Sequence, residues 1–243
     1  MLTYLSISMV LMFATDAHQP QEGSDGPSVG GYIATALLHE DDFEAGLEQW
    51  QIEQQPGGKA FAKDGVMEID AAGGCTAWFK QKLESPVLVQ FEVTMVKEGG
   101  ANDRVSDLNS FMMATDPTND DLLANGKKRG GKFGNYHKLK LYYVGYGANN
   151  NSTTRFRRYV GDGTRPVLPE HDLKGKHKPN VKRTVQILVA DGVYQYWIDG
   201  KRVYYVEDES PYTEGWFALR TVKNRMRVEH FRAWRIELEE PES

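Results

Sequence analysis

From Phe43 to Ile236 the chain is a succession of short apolar–polar alternations separated by Gly, Asp and Asn. Val66-Met67-Glu68-Ile69-Asp70, Val87 to Val96, Lys138 to Val144, Thr184 to Val189, Val193 to Ile198 and Arg202 to Val206 have this form. So do the closing runs Trp216 to Arg220 and Val228 to Ile236. A period of two sends successive side chains to opposite faces of a strand, and no segment sustains a helical stripe for a dozen residues. Asp191-Gly192 and Asp199-Gly200 fall between runs and predict tight hairpins, whose central residues need positive φ. Many antiparallel strands with half-buried faces predict an all-β fold, a two-sheet antiparallel β-sandwich. Residues 97–135 and 161–181 lack the pattern and read as long connections, which in a compact domain usually carry function.

The N-terminus differs. The apolar run Leu2 to Ala14, followed by His18-Gln19-Pro20, has the length of a signal-peptide h-region, with Thr15-Asp16-Ala17 as a cleavage site. Residues 1–17 are expected to be a signal peptide and 18–36 a flexible spacer rich in Gln, Gly, Ser, Asp and Pro. Residues 37–239 are expected to form a single domain, secreted or periplasmic. A buried first strand is the alternative for the apolar run. No internal run is long enough to span a membrane. Cys75 stands alone, so no intrachain disulfide and no cysteine zinc site can form, and a packed thiol is expected. Asp116 to Asp121 lack the ordered spacing of a calcium loop, and no phosphate loop is present. Neither metal nor cofactor is expected.

Net charge conceals an asymmetry. The chain is formally −5, yet Lys127 to Arg183 holds fifteen Lys/Arg against Asp162, Glu170 and Asp172 alone. That segment is therefore +12 and the remainder −17, a pattern of a basic surface on an acidic body with anionic partners. Lys and Arg interleave with aromatics there, but the acidic total and expected export argue against nucleic acid.

The strand carrying Trp197-Ile198-Asp199-Gly200-Lys201, then Gly215 to Arg220 and a final strand, resembles the end of concanavalin A-like jelly rolls. Phe43 to Trp50 and Lys63 to Ile69 resemble their beginning. Asp103 to Asn109, Ala114 to Pro117, Leu141 to Gly147, Asn149 to Tyr159 and Arg165 to Leu173 together resemble the DUF6250 type of family, found with bacterial polysaccharide-degrading systems. The resemblance covers most of residues 40–238. It implies a jelly roll and a carbohydrate-active protein; it carries no catalytic assignment, since fold alone does not fix a reaction.

In Thr153 to Tyr159, Arg155, Arg157 and Tyr159 share one strand face and Phe156 and Arg158 the other. Two guanidinium forks on one face suit carboxylates or sulfates. On the preceding strand the leucines 139 and 141 are expected to face the core, placing Lys138, Lys140 and Tyr142 beside the arginines. Tyr142, Tyr146 and Tyr159 are candidate stacking platforms for sugar rings. A polysaccharide lyase must neutralise a uronate carboxylate, remove the adjacent proton and protonate the leaving oxygen. His137 and Tyr142 are the candidate base and acid, with Arg155 and Arg157 neutralising. His171 is an alternative base, with Glu170 or Asp172 orienting it. Arg104, Asn109, Lys140, Asn149 and Glu170 are further candidate substrate contacts, although Arg104, Asp107 and Asn109 would equally serve as a buried polar network. The expected ligand is an acidic polysaccharide, and the expected enzyme a lyase. A glycoside hydrolase using two loop carboxyl groups and a non-catalytic binding module are the alternatives.

Overall fold

The computed structural model describes residues 26–173 and 177–240, with the side chains of 168–172 set apart. The expected signal peptide, and the spacer as far as residue 25, lie outside the described residues. In chain order the strands are β1 (Ser28–Val29), β2 (Tyr32–Asp41), β3 (Trp50–Gln54), β4 (Lys59–Lys63), β5 (Val66–Glu84), β6 (Val87–Met95) and β7 (Leu108–Thr115). They continue with β8 (Lys140–Gly147), β9 (Thr153–Val160), β10 (Val167–Leu173), β11 (Lys182–Ala190), β12 (Val193–Ile198), β13 (Lys201–Glu207) and β14 (Glu214–Leu238).

Two of these strands, β5 and β14, run through both layers. The first half of β14 pairs with β7 on one side and the second half of β5 on the other, giving a front sheet β10-β9-β8-β7-β14-β5-β3. Its second half pairs with β6, giving a back sheet β13-β12-β11-β6-β14 that β2 and the first half of β5 extend. The exchange occurs at the register shift between Val222 and Asn224, where Lys223 adopts φ 43°. Every strand pair is antiparallel.

The two layers meet over one apolar core, because the inward positions of each sheet are apolar. Phe217 packs on Phe91, and Tyr142 and Phe156 of the front sheet pack on Tyr194 of the back sheet at 5.3 and 5.0 Å. The two-sheet antiparallel β-sandwich expected from the alternation is thus the fold. The Asp-Gly hairpins form with positive φ at Asp191, Gly192, Asp199 and Gly200. Cys75 is buried in the middle of β5, and burial pushes its thiol up to about 12, the state of an inert packed thiol.

Three boundaries differ from expectation. Strands β1 and β2 begin inside the region expected to be spacer, and Val29, Tyr32 and Ala34 bury against Leu88, Leu188, Trp234 and Ile236. The unpatterned stretch 97–135 contains β7, and 161–181 contains β10. Seven of the eight β7 residues are buried, so both its faces are covered and no alternation marks it. The cover on the outer side is the segment 116–139. It lays Leu122, Tyr136 and Leu139 over Trp78, Phe111 and Trp216 as a second apolar cluster outside the sandwich.

Candidate functional site

On the outer face of the front sheet two rows of side chains run across the strands. Facing residues of neighbouring antiparallel strands lie on the same side of a sheet. The first row is therefore Glu53, Thr76, Arg220, Asn109, Gly145 and Arg155, on β3, β5, β14, β7, β8 and β9. The second is Gln51, Trp78, Ala218, Phe111, Tyr143 and Arg157. The left ends of the rows are sealed by the 116–139 segment. Their right ends open into a cavity of about 500 Å³, within the range of small-ligand sites. Arg104, Arg155, Arg157, Arg165 and Arg220 line it, with Asp107, Asn109, Tyr143, Asn149, Asn150 and Phe133.

The seal is electrostatic as well as apolar. Arg129, at the end of the short helix α1 (Gly126–Arg129), donates to both Glu53 oxygens at 3.1 and 2.5 Å, and the Tyr136 hydroxyl donates to Glu53 at 2.7 Å. Both members of the ion pair are almost fully buried. The next residues bring the Gly131 carbonyl against Gly74. A Cβ on Gly74 would stand 2.0 Å from that oxygen, so glycine is required for the approach.

Arg220 is 1% exposed. Its Nη2 donates to the Gly131 carbonyl at 3.0 Å and its Nη1 to the Thr221 carbonyl at 3.2 Å, while Nε has no partner among the described residues. Its guanidinium packs 4.6 Å from the Phe133 ring centroid. Burial pulls its pKa down against the opposing effect of neighbouring tyrosines and Asp107. Arg157 donates to the Arg165 carbonyl at 2.7 Å, and burial, with Arg165 and Arg155 nearby, depresses its pKa too. Tyr143 donates its hydroxyl to Asn109 Oδ1 at 2.9 Å. That bond crosses the space a side chain at Gly145 would fill, for a Cβ there would lie 2.3 Å from the Tyr143 oxygen.

The single carboxylate of the cavity wall among the described residues is Asp107, and it is engaged. Arg104 Nη2 and Ser106 Oγ both donate to it at 2.5 Å. Burial raises its pKa despite the Ser106 hydrogen bond and Arg104. Arg104 also donates to the Val222 carbonyl and to Asn150 Oδ1. The polar-network reading of Arg104 and Asp107 describes this contact. Asn149, Asn150 and Asn151 all take φ between 53° and 61°, the left-handed region that asparagine tolerates best after glycine. They form a turn at the cavity rim, with Asn149 bonded to Thr153.

The expected site residues divide accordingly. Arg155, Arg157 and Tyr159 share a face as the alternation predicts, and Arg104, Asn109 and Asn149 join the two arginines at the cavity. Tyr142 does not. It points into the inter-sheet core, 1% exposed, and donates to Asp208 at 2.6 Å, so it is not beside the arginines. The strand faces the opposite way from expectation: Leu141 and Tyr143, expected to face the core, lie beneath the 116–139 segment, to which Leu139 itself belongs. Lys140 lies exposed at the start of β8, away from the cavity. Tyr146 packs edge-on against His177 at 4.7 Å and lines a different cavity, with Arg183 and Arg202. Tyr159 is buried behind Tyr143, and burial raises its pKa to about 12 against the pull of Arg165 and Arg157. His137 sits behind the wall. Its Nε2 meets Arg165 Nη1 at 3.1 Å, and burial with Arg165, Arg220 and Arg157 lowers its pKa, so the neutral ring accepts from Arg165. Glu170 and His171 belong to β10, but their side chains lie outside the described residues.

Sequence reasoning passed over Arg220, Tyr143 and Phe133. Arg220 lies outside the basic stretch. Its one signal was a charge directly after the apolar run Trp216 to Leu219, which a buried strand tolerates only for a purpose.

Comparison with solved structures places the sandwich among known folds. A protein of unknown function with a galectin-like fold from Bacillus subtilis superposes with a TM-score of 0.68 at 14% identity, covering 84% of this chain and 98% of that one. An endo-β-1,3-glucanase from Pyrococcus furiosus gives 0.57 at 10% identity over 89% and 100%. The carbohydrate-binding module CBM66 from Bacillus subtilis gives 0.53 at 12% over 76% and 95%. At such identities the likeness is one of fold. Comparison with curated proteins gives no match. The family model for a domain of unknown function, DUF6250, matches residues 69–231, which takes in both rows of the outer face except Gln51 and Glu53 of β3, and the chain belongs to that family.

Proposed function

We propose that this chain is an exported carbohydrate-active protein that binds a uronate-bearing polysaccharide in the outer-face cavity and cleaves it by β-elimination. The observation that carries this reading is the lining: five arginines around a cavity whose one described carboxylate is already paired. Guanidinium forks match carboxylate geometry, and burial strengthens each contact. Fold neighbours that include a glucanase and a carbohydrate-binding module support a sugar ligand.

In the elimination, a base takes the proton next to the carboxylate, the bond from C4 to the glycosidic oxygen breaks, a C4–C5 double bond forms, and the leaving oxygen receives a proton. The arginines stabilise the charge that develops on the carboxylate. Tyr143 is the phenol that lines the cavity on the arginine face, and takes the place of Tyr142 as proton carrier; Tyr159 is buried behind it. His137 could act as a base only after releasing Arg165, so its role is to position that arginine. The hydrolase is the second reading, favoured by the glucanase likeness; it needs two carboxyl groups, of which the described lining supplies Asp107.

The test is a panel of uronate polysaccharides and neutral β-glucans, with products read by ultraviolet absorbance and mass. Unsaturated products from the uronates support elimination. Reducing ends that carry an added water assign hydrolysis instead, and retention without product assigns a binding module.

A further inference from the structure

The arginines of the cavity are not equivalent. Arg104 has a carboxylate partner in Asp107. Among the described residues, Arg157, Arg165 and Arg220 are held by neutral groups: the Arg165 carbonyl, the His137 ring, and the carbonyls of Gly131 and Thr221. A guanidinium without a counter-charge keeps its full charge, a cost that an arriving anion offsets and that is greatest at Arg220, the one of the three that is fully buried. These three fall into two places. Arg220 stands on β14, tied toward the Gly131 turn. Arg157 stands on β9 and is tied to the Arg165 backbone. Strands β14, β7, β8 and β9 are consecutive in the sheet, so the two backbones are about 14 Å apart at ordinary strand spacing. Both head groups are pinned by their carbonyl partners. Between the two places the floor is Asn109, Gly145 and the Tyr143 hydroxyl that lies over Gly145, all uncharged.

We propose that the cavity holds a saccharide segment bearing two acidic groups, one at Arg220 and the other at Arg157 and Arg165. This rests on the reading that the ligand is an acidic saccharide, and narrows it to one with charges on neighbouring units. A singly charged sugar leaves one of the two places facing neutral hydroxyls. The about 500 Å³ of space admits more than one ring.

The test uses one uronate disaccharide in three esterification states: both carboxylates free, one methyl-esterified (each of the two mono-esters in turn), or both esterified. Affinities come from equilibrium dialysis, with the retentate checked for products. The free di-acid is expected to bind at least tenfold more tightly than either mono-ester, with the steeper loss on raising salt. Arg220→Gln should abolish the preference for one of the two carboxylates, and Arg157→Gln that for the other. Since Arg220 is buried and its replacement puts the fold at risk, the comparison of the three esterification states on the unaltered protein decides by itself. Equal affinity for di-acid and mono-ester overturns the two-place proposal and leaves the acidic ligand standing. Equal affinity for the di-acid and the neutral diester overturns the acidic-saccharide reading as well, as does failure of all three to bind.

Discussion

Replacing Glu53 by Gln removes the charge from the buried pair that seals the cavity and leaves its partner in place. Arg129 is 4% and Glu53 1% exposed in their side chains, so the guanidinium loses its counter-charge in a dry environment. Its nearest other carboxylate, Asp116, is 4.0 Å from Nη1 and already accepts from Thr118 and Asn125. Breaking a buried pair by neutralising one partner costs about 3–5 kcal/mol. A domain of this size loses roughly 2–4 °C in Tm per kcal/mol, so a drop of roughly 6–20 °C is expected in a calorimetric or circular-dichroism melt. The effect should also reach the ligand. The turn that Arg129 anchors supplies the Gly131 carbonyl to Arg220 and the Phe133 ring to the cavity wall. Binding of an acidic oligosaccharide should therefore weaken in the folded variant at low temperature. The double variant Glu53→Gln, Arg129→Met should recover much of the lost stability, because no unpaired charge remains. A melt within about 2 °C of the unaltered protein, about 0.5–1 kcal/mol by the same scale, would refute the claim that this pair holds the segment down.

Tyr142→Phe should cost about 1 kcal/mol in urea unfolding, through loss of the bond to Asp208, and leave product formation intact; a collapse of turnover would return Tyr142 to the chemistry. Gly145→Ala should displace the Tyr143 hydroxyl from Asn109 and weaken ligand binding more than it lowers Tm, and unchanged affinity would contradict the geometry. His177 is buried, with Nε2 donating to the Tyr146 carbonyl, and burial holds its pKa at about 4 rather than 6.5. The unfolded chain thus takes up a proton that the folded one refuses. Stability is full above pH 6.5 and falls by about 3 kcal/mol as pH drops to about 4. His177→Gln should flatten that slope in chemical unfolding measured between pH 7 and 4; an unaltered slope would assign it to other groups.

How far the sequence could be read depended on whether one face of a strand or both are covered. In β9, Phe156 is buried while Arg155 and Arg157 are only half-buried, so alternation correctly put the arginines together. In β8 everything after Lys140 is buried, and Leu141 and Tyr142 look equally internal. Parity says that they face apart, but not which way, and the missing fact was the position of the 116–139 segment. The same segment hid β7, whose Leu108-Asn109-Ser110-Phe111-Met112 has no exposed face to set a rhythm. The charge pattern located the arginines of β9 but not Arg220, which comes from β14 and reaches the site only through register. The N-terminal strands were obscured by composition: Ser28 to Ala34 is rich in small residues and glycine, yet it carries Val29 and Tyr32 into an apolar cluster.

The crossing of β14 from one layer to the other has a mechanical consequence. Arg220 and Val222 stand at the cavity immediately before the crossing at Lys223, and Met226 and Val228 are already in the back layer. The cavity wall and the opposite side of the molecule are thus lengths of one taut backbone. A load that alters the angle between the layers is carried by the two strands that cross them, β5 and β14, and along β14 it reaches the arginine at the floor. The setting of Arg220 in the cavity wall and the rigidity of the whole sandwich are, in this protein, mechanically linked.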